Sequence, residues 1–272
     1  MSAARRLARA AAAAAIAAAC AGAPGAAALE GYPGSTWGDL YYEIPSPGSS
    51  DLVLEGWVRQ GVALKRWPIG RAHLVLQSYA TLRYKWDSLG LDWNNYLGPG
   101  AGLAVDLDLP SFPSVSAGVE YVHQWNTRPD VSLPYAALFV NWFGSWDVRS
   151  GRWPGSTWGD LRWEVPNSGP DDLILEGWVR QGWTLHRWRP APYTFALSPY
   201  LRFRYKLDTL GLDWNNYAGP GVGLALDVDG LKGFLPAAGI EYAWEKNLSS
   251  PGGVHRIDLV VRWYGWWDLG RR

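Results

Sequence analysis

The chain repeats itself at an offset of 121 residues (Trp37 to Trp158), and each copy reads as six β-strands. The same offset aligns Leu52 with Leu173, Asn94 with Asn215, Asp106 with Asp227, Gly118 with Gly239 and Trp142 with Trp263. Three stretches match letter for letter: PGSTWGDL (Pro33 to Leu40, Pro154 to Leu161), LEGWVRQG (Leu54 to Gly61, Leu175 to Gly182) and LGLDWNNY (Leu89 to Tyr96, Leu210 to Tyr217). The period is too long for an ordinary solenoid repeat, so it points to a duplicated half-structure. Six strands and six strands close into one all-β, antiparallel, twelve-stranded barrel. Residues 29–148 form the first six-stranded repeat and 149–272 the second.

The first 28 residues read as a secretory signal peptide. Arg5, Arg6 and Arg9 form a basic region, an Ala-rich apolar run follows, and Ala26 and Ala28 stand as a cleavage site before Leu29. Cys20, the single cysteine, admits a second reading, because Ala17 to Cys20 resembles a bacterial lipobox. With a plain signal peptide the mature protein has no cysteine and no disulfide. Removing the three arginines leaves 22 Lys+Arg against 25 Asp+Glu, a balance that gives no footing for nucleic-acid binding.

Nineteen Trp and fourteen Tyr, with an apolar body and a polar tip, suit a membrane–water interface or a sugar-binding surface. Alternation runs through the strands. Leu52, Leu54, Val58, Val62 and Leu64 share one parity, and Glu55, Trp57, Arg59 and Lys65 the other. The second copy sets Leu173, Leu175, Val179, Trp183 and Leu185 against Glu176, Trp178, Arg180 and His186. Successive side chains on a strand point to opposite faces, so each strand has an apolar and a polar face.

In a soluble sheet the apolar face turns inward; in a membrane barrel it meets lipid and the polar face lines the lumen. The strands reach bilayer-crossing length, and their ends carry aromatics such as Trp67, Trp86, Trp125, Trp146, Trp188 and Trp244, as interfacial girdles require. These features favour a bacterial outer-membrane barrel with lipid as its surroundings. Soluble sandwiches alternate too, and the alternative is a periplasmic or secreted pair of modules that bind glycans through exposed Trp. In the barrel both chain ends lie on one side. The connections after strands one, three and five of each copy face outward, including Gly90–Asn95 and Gly211–Asn216.

Two sets of residues are candidates for function. The loop set is Asp92, Trp93, Asn94 and Asn95 with Asp213, Trp214, Asn215 and Asn216. It reads either as a sugar contact or as a structured turn, since Asn tolerates positive φ and Asp caps turns. The lumen set is Glu55, Trp57, Arg59, Arg83, Lys85, Asp106 and Glu120 with Glu176, Trp178, Arg180, Arg204, Lys206, Asp227 and Glu241. It reads either as a polar conduit for an oligosaccharide or as a salt-bridged filling that stiffens a narrow barrel. Gly98, Gly100 and Gly102, with Gly219, Gly221 and Gly223, form a bare stripe on the lumen parity, against which Trp57 and Trp178 are expected to pack. The histidines His73, His123, His186 and His255 are not duplicated, and no nucleophile motif or metal cluster appears, so a barrel-borne hydrolase is the least supported class. No cofactor is implied.

Pro199 to Tyr205, the segment Tyr217 to Leu224 (Tyr-x-Gly-Pro-Gly-x-Gly-Leu), and the basic-aromatic strand Arg256 to Trp267 resemble the C-terminal barrels of outer-membrane exopolysaccharide-export and phage-adsorption proteins. The resemblance covers the last six strands and, through the repeat, the first six. It implies a passive pore or envelope structural protein linked to polysaccharide export, with polysaccharide as a candidate partner. The chain departs from that family in two ways: the long periplasmic helical-repeat region has no counterpart, and the sequence closes on Gly270-Arg271-Arg272 in place of a terminal aromatic.

Overall fold

A computed structural model describes residues 31–91, 94–109, 114–127, 130–147, 152–212 and 215–269. The leader with Cys20, and Asp92, Trp93, Asp213 and Trp214 of the loop set, lie outside the described residues. The strands of the first copy are β1 (Pro33–Ser46), β2 (Asp51–Ile69), β3 (Ala72–Asp87), β4 (Tyr96–Asp108), β5 (Ser114–Thr127) and β6 (Asp130–Trp146). Those of the second are β7 (Gly155–Pro166), β8 (Asp172–Gly182), β9 (His186–Trp188), β10 (Thr194–Asp208), β11 (Tyr217–Asp229), β12 (Phe234–Asn247) and β13 (Gly253–Asp268).

All neighbouring pairs are antiparallel, and β1 pairs with β13 from Pro33↔Asp268 to Ser46↔His255, so the sheet closes with no free edge. β8 and β9 both pair with β10 and form one interrupted stave, giving twelve staves in the wall. Pairing recurs at the sequence offset: Trp37 opposes Trp57 as Trp158 opposes Trp178.

The interruption has a local cause. In the first copy a β-bulge between Ala63 and Lys65 lets β2 run on past Val62↔Ser78. In the second copy the residue matching Ser78 is Pro199, which has no N–H to give to the ladder, so Trp183 N donates to Pro199 O (3.1 Å) without a return bond and the strand breaks. The irregularity also corrects the expected facing of two residues. Lys65 and His186 oppose Leu76 and Leu197 on the outer face, and the following Arg66 and Arg187 turn inward opposite Val75 and Ala196.

The barrel is apolar outside and charged inside. Outward-facing Leu201, Val222 and Leu259 are 63 %, 50 % and 50 % exposed, whereas inward-facing Glu241, Glu120 and Asp258 are 1 %, 3 % and 4 % exposed. At the end that bears both termini, outward Trp267 of β13 lies over Gly34 of β1, where a Cβ would overlap its ring, and its Nε1 donates to Gln60 of β2 (2.8 Å). Trp146 of β6, Gly155 of β7 and Gln181 of β8 repeat this at the offset, with an Nε1 bond of 3.0 Å. The seam from copy one into copy two is therefore built like the seam that closes the barrel.

Candidate functional site

Register directs Trp37 of β1 and Trp158 of β7 inward from opposite walls, and they meet with ring centroids 4.9 Å apart and planes 3° from parallel. Phe143 of β6 and Tyr264 of β13, also on opposite walls, stack at 3.5 Å and 12°. In both stacks a residue meets its own counterpart at the offset of 121 (Trp37 to Trp158). Two half-barrels related by a twofold along the barrel axis would bring each residue onto its own copy in this way. Each such aromatic pair contributes about 0.5–1.5 kcal/mol beyond area burial.

Charged side chains fill the wall around the stacks in chains that recur between copies. Arg59 pairs with Asp106 (3.2 Å) and lies over the Tyr79 ring (4.8 Å); Tyr79 Oη donates to Glu120 (3.1 Å), and Arg83 Nε also donates to Glu120 (2.9 Å). In the second copy Arg180 pairs with Asp227 (2.7 Å) and lies over Tyr200 (4.5 Å), whose Oη donates to Glu241 (2.8 Å). Here the chains diverge: Arg202 takes Glu241, and Arg204 reaches Glu245 at 3.7 Å. Lys85 pairs with Glu55 (3.0 Å) and Lys206 with Glu176 (3.2 Å). Trp178 lies under Arg262 (4.8 Å), which donates twice to Asp39 at 2.7 Å. Every residue of the lumen set thus faces inward, and each of its charged members has an opposite charge within reach.

Asp39, Arg162, Arg202, Glu245, Arg256, Asp258 and Arg262 lie outside the lumen set yet join the network; alternation puts Arg202, Arg256, Asp258 and Arg262 on the polar face without marking them as candidates. A search for duplicated charges misses the arginines because Arg162, Arg202, Arg256 and Arg262 correspond to Tyr41, Thr81, Tyr135 and Asn141. The glycine stripe has a different partner from the one expected. Tyr79 and Tyr200 lie against Gly102 and Gly223, where a Cβ would strike their rings, while Trp57 and Trp178 stand elsewhere on the wall.

The stacks divide the interior. On the side of the outward connections a cavity of about 130 Å³ is lined by Tyr41, Glu55, Lys85, Tyr96, Arg162 and Lys206, among others. On the side of the chain ends lies a chamber of about 860 Å³, bordered by Trp57, Trp158, Phe143 and Tyr264.

The described part of the loop set is occupied by its own turn. Asn95 Nδ2 donates to Asp87 Oδ1 (3.2 Å) and to Leu91 O (2.9 Å), and Asn216 Nδ2 does the same with Asp208 (2.9 Å) and Leu212 (2.9 Å). Asn95 and Asn216 are buried, at 1 % and 6 % exposure, and Asn94 N and Asn215 N close one-turn bonds to Leu91 O and Leu212 O. On the outer face, His123 Nε2 and Ser132 Oγ lie 2.6 Å apart, and Tyr242 Oη and His255 Nδ1 also 2.6 Å. Neither pair is joined to a carboxylate among the described residues, and among these no cluster of three metal-ligating side chains occurs.

A closed antiparallel sheet with an apolar outer face and a charged interior is what a membrane span requires of β-strands. The chain is an integral β-barrel of the bacterial outer-membrane type. No protein-family model matches the chain, and no curated protein matches it by sequence. Among solved structures it is similar to the β domain of the Bordetella autotransporter BrkA (10% identity, 85% of this chain and 98% of that chain, TM-score 0.45). It is also similar to a bacterial polysaccharide outer membrane secretin (10%, 86% and 98%, 0.42) and to the COG4313 outer membrane channel from Pseudomonas putida F1 (9%, 90% and 99%, 0.42). At these scores the likenesses add no weight; the membrane placement rests on the barrel's own polarity.

Proposed function

We infer that the protein is an envelope barrel whose lumen is shut, a structural or gated element in place of a free-diffusion pore. The observation that carries this is the pair of cross-wall stacks, Trp37 on Trp158 and Phe143 on Tyr264. The ion-paired lumen set supports the same reading, because moving these charges aside to pass a solute would break buried pairs, each break costing about 3–5 kcal/mol. A link to surface polysaccharide belongs to this reading, supported by the motifs of the last six strands and by the aromatic walls of the larger chamber. The test is conductance in planar bilayers. The wild-type protein is expected to give no steady current, and the variant that removes both stacks, Trp37→Ala/Phe143→Ala/Trp158→Ala/Tyr264→Ala, a stable one. Steady ohmic conductance from the wild-type barrel would contradict the reading.

A further inference from the structure

The two halves are alike in sequence, yet the larger chamber lies in one half. In the second copy Arg262 reaches over Trp178 and binds Asp39, filling the space beside the central stack. The residue that corresponds to Arg262 in the first copy is Asn141, which stops short, and the chamber opens beside Trp57. Further differences set its lining: Gln77 and Ser116 stand where the second copy has Ser198 and Ala237, and Trp266 stands where the first copy has Ser145, adding polar and aromatic surface to the space that Asn141 leaves. The space therefore does not follow from the barrel's symmetry. It opens where Asn141 replaces the arginine that fills the second copy.

We propose that this chamber binds the end of an uncharged oligosaccharide presented from the side of the chain ends. This rests on the closed-lumen reading, since the Trp37–Trp158 stack makes the chamber a blind pocket. Three features select the ligand. First, aromatic faces line the path inward: Trp266 at the mouth, 43 % exposed, then Tyr264 on the same face of β13 with ring centroids 5.7 Å apart, then Trp57 and Trp158 deeper in. Such faces meet the C–H surface of a sugar ring. Second, Asn141, Ser114 and Gln77 Oε1, a buried acceptor with no partner among the described residues, lie beside those faces, while Gln77 Nε2 and Ser116 Oγ are held by Asp106. A lipid tail would leave these groups dry at a cost; hydroxyls satisfy them. Third, the charges are balanced. Arg59 is held by Asp106 and Arg66 by Asp268, and the lining carries one further residue of each sign, Lys232 and Asp108, so no surplus of positive charge invites a polyanion. At about 860 Å³ the chamber falls within the volume range of small-ligand sites.

The test is calorimetric titration of the full barrel in a detergent without a sugar headgroup. The probes are chitotriose and, as the acidic comparison, trigalacturonate. Chitotriose is expected to bind and trigalacturonate to give no heat. Asn141→Arg, which copies the filled half, should weaken chitotriose by about tenfold or more, equivalent to roughly 1.4 kcal/mol. Trp57→Ala should weaken it likewise, which keeps the test decisive should the arginine variant fail to assemble. No heat with chitotriose, preference for trigalacturonate, or undiminished binding in an assembled variant would each overturn the proposal. Binding is read separately from current, so an open wild-type channel in bilayers would remove the closed-lumen reading while leaving the sugar result legible.

Discussion

At the scale of single residues, the interior works by pairing. Glu120 illustrates it: 3 % exposed, it accepts from Tyr79 and from Arg83, and its counterpart Glu241 is held by Tyr200 and Arg202. Glu120→Ala strands the Arg83 guanidinium away from water and should lower barrel stability by about 3–5 kcal/mol, read as a fall in the urea midpoint of heat-modifiable gel migration. An unchanged midpoint would mean that water, not Glu120, satisfies Arg83. Asp87 makes a contrasting case. It holds the turn by accepting from Leu91 N (3.0 Å) and from Asn95, so Asp87→Ala should speed proteolytic nicking at that connection and leave barrel migration unchanged. Alternation made these inward positions legible in the sequence. What it did not reveal was partner choice: Glu241 takes Arg202 where the repeat would assign Arg204, because Thr81 became Arg at that position in the second copy.

At the scale of elements, strand identity was legible and strand irregularity was not. Apolar–polar alternation and the turn signals place each stave, since a period of two in side-chain direction survives any local change in twist. A bulge leaves no comparable mark. Leu64 is the extra residue in β2, so the expected inward place of Lys65 passes to Arg66, which then reaches Asp268 across the seam. This gives an unusual expectation for a deletion within a strand. Removing Leu64 should leave a regular ladder with Arg66 still opposite Val75, and the protein should assemble and keep heat-modifiable migration. Removing Val58, which sits in regular pairing with Leu82, turns the rest of the strand inside out, and that protein should not assemble. Failure of both deletions, or tolerance of both, would count against the register.

At the scale of the molecule, closure makes the interior. The repeat pointed to twelve staves, and the seams Trp267–Gly34–Gln60 and Trp146–Gly155–Gln181 show how one half follows the other. The central stacks were out of reach of sequence reasoning: Trp37 and Trp158 are far apart in the chain and on opposite walls, and they meet only when the wall has closed. If each copy is half a barrel, residues 29–148 expressed alone expose two unpaired edges and should yield no heat-modifiable species, while the full chain does. The wall is embedded in lipid, apolar outside and charged inside. The most direct test uses single cysteines in β13 of a Cys20-free mature protein, at Leu259, Val260, Val261 and Arg262, each carrying a fluorophore in liposomes with spin-labelled lipid. Quenching should be strong at 259 and 261 and weak at 260 and 262. Equal quenching along the strand, or the opposite alternation, would contradict the barrel described here.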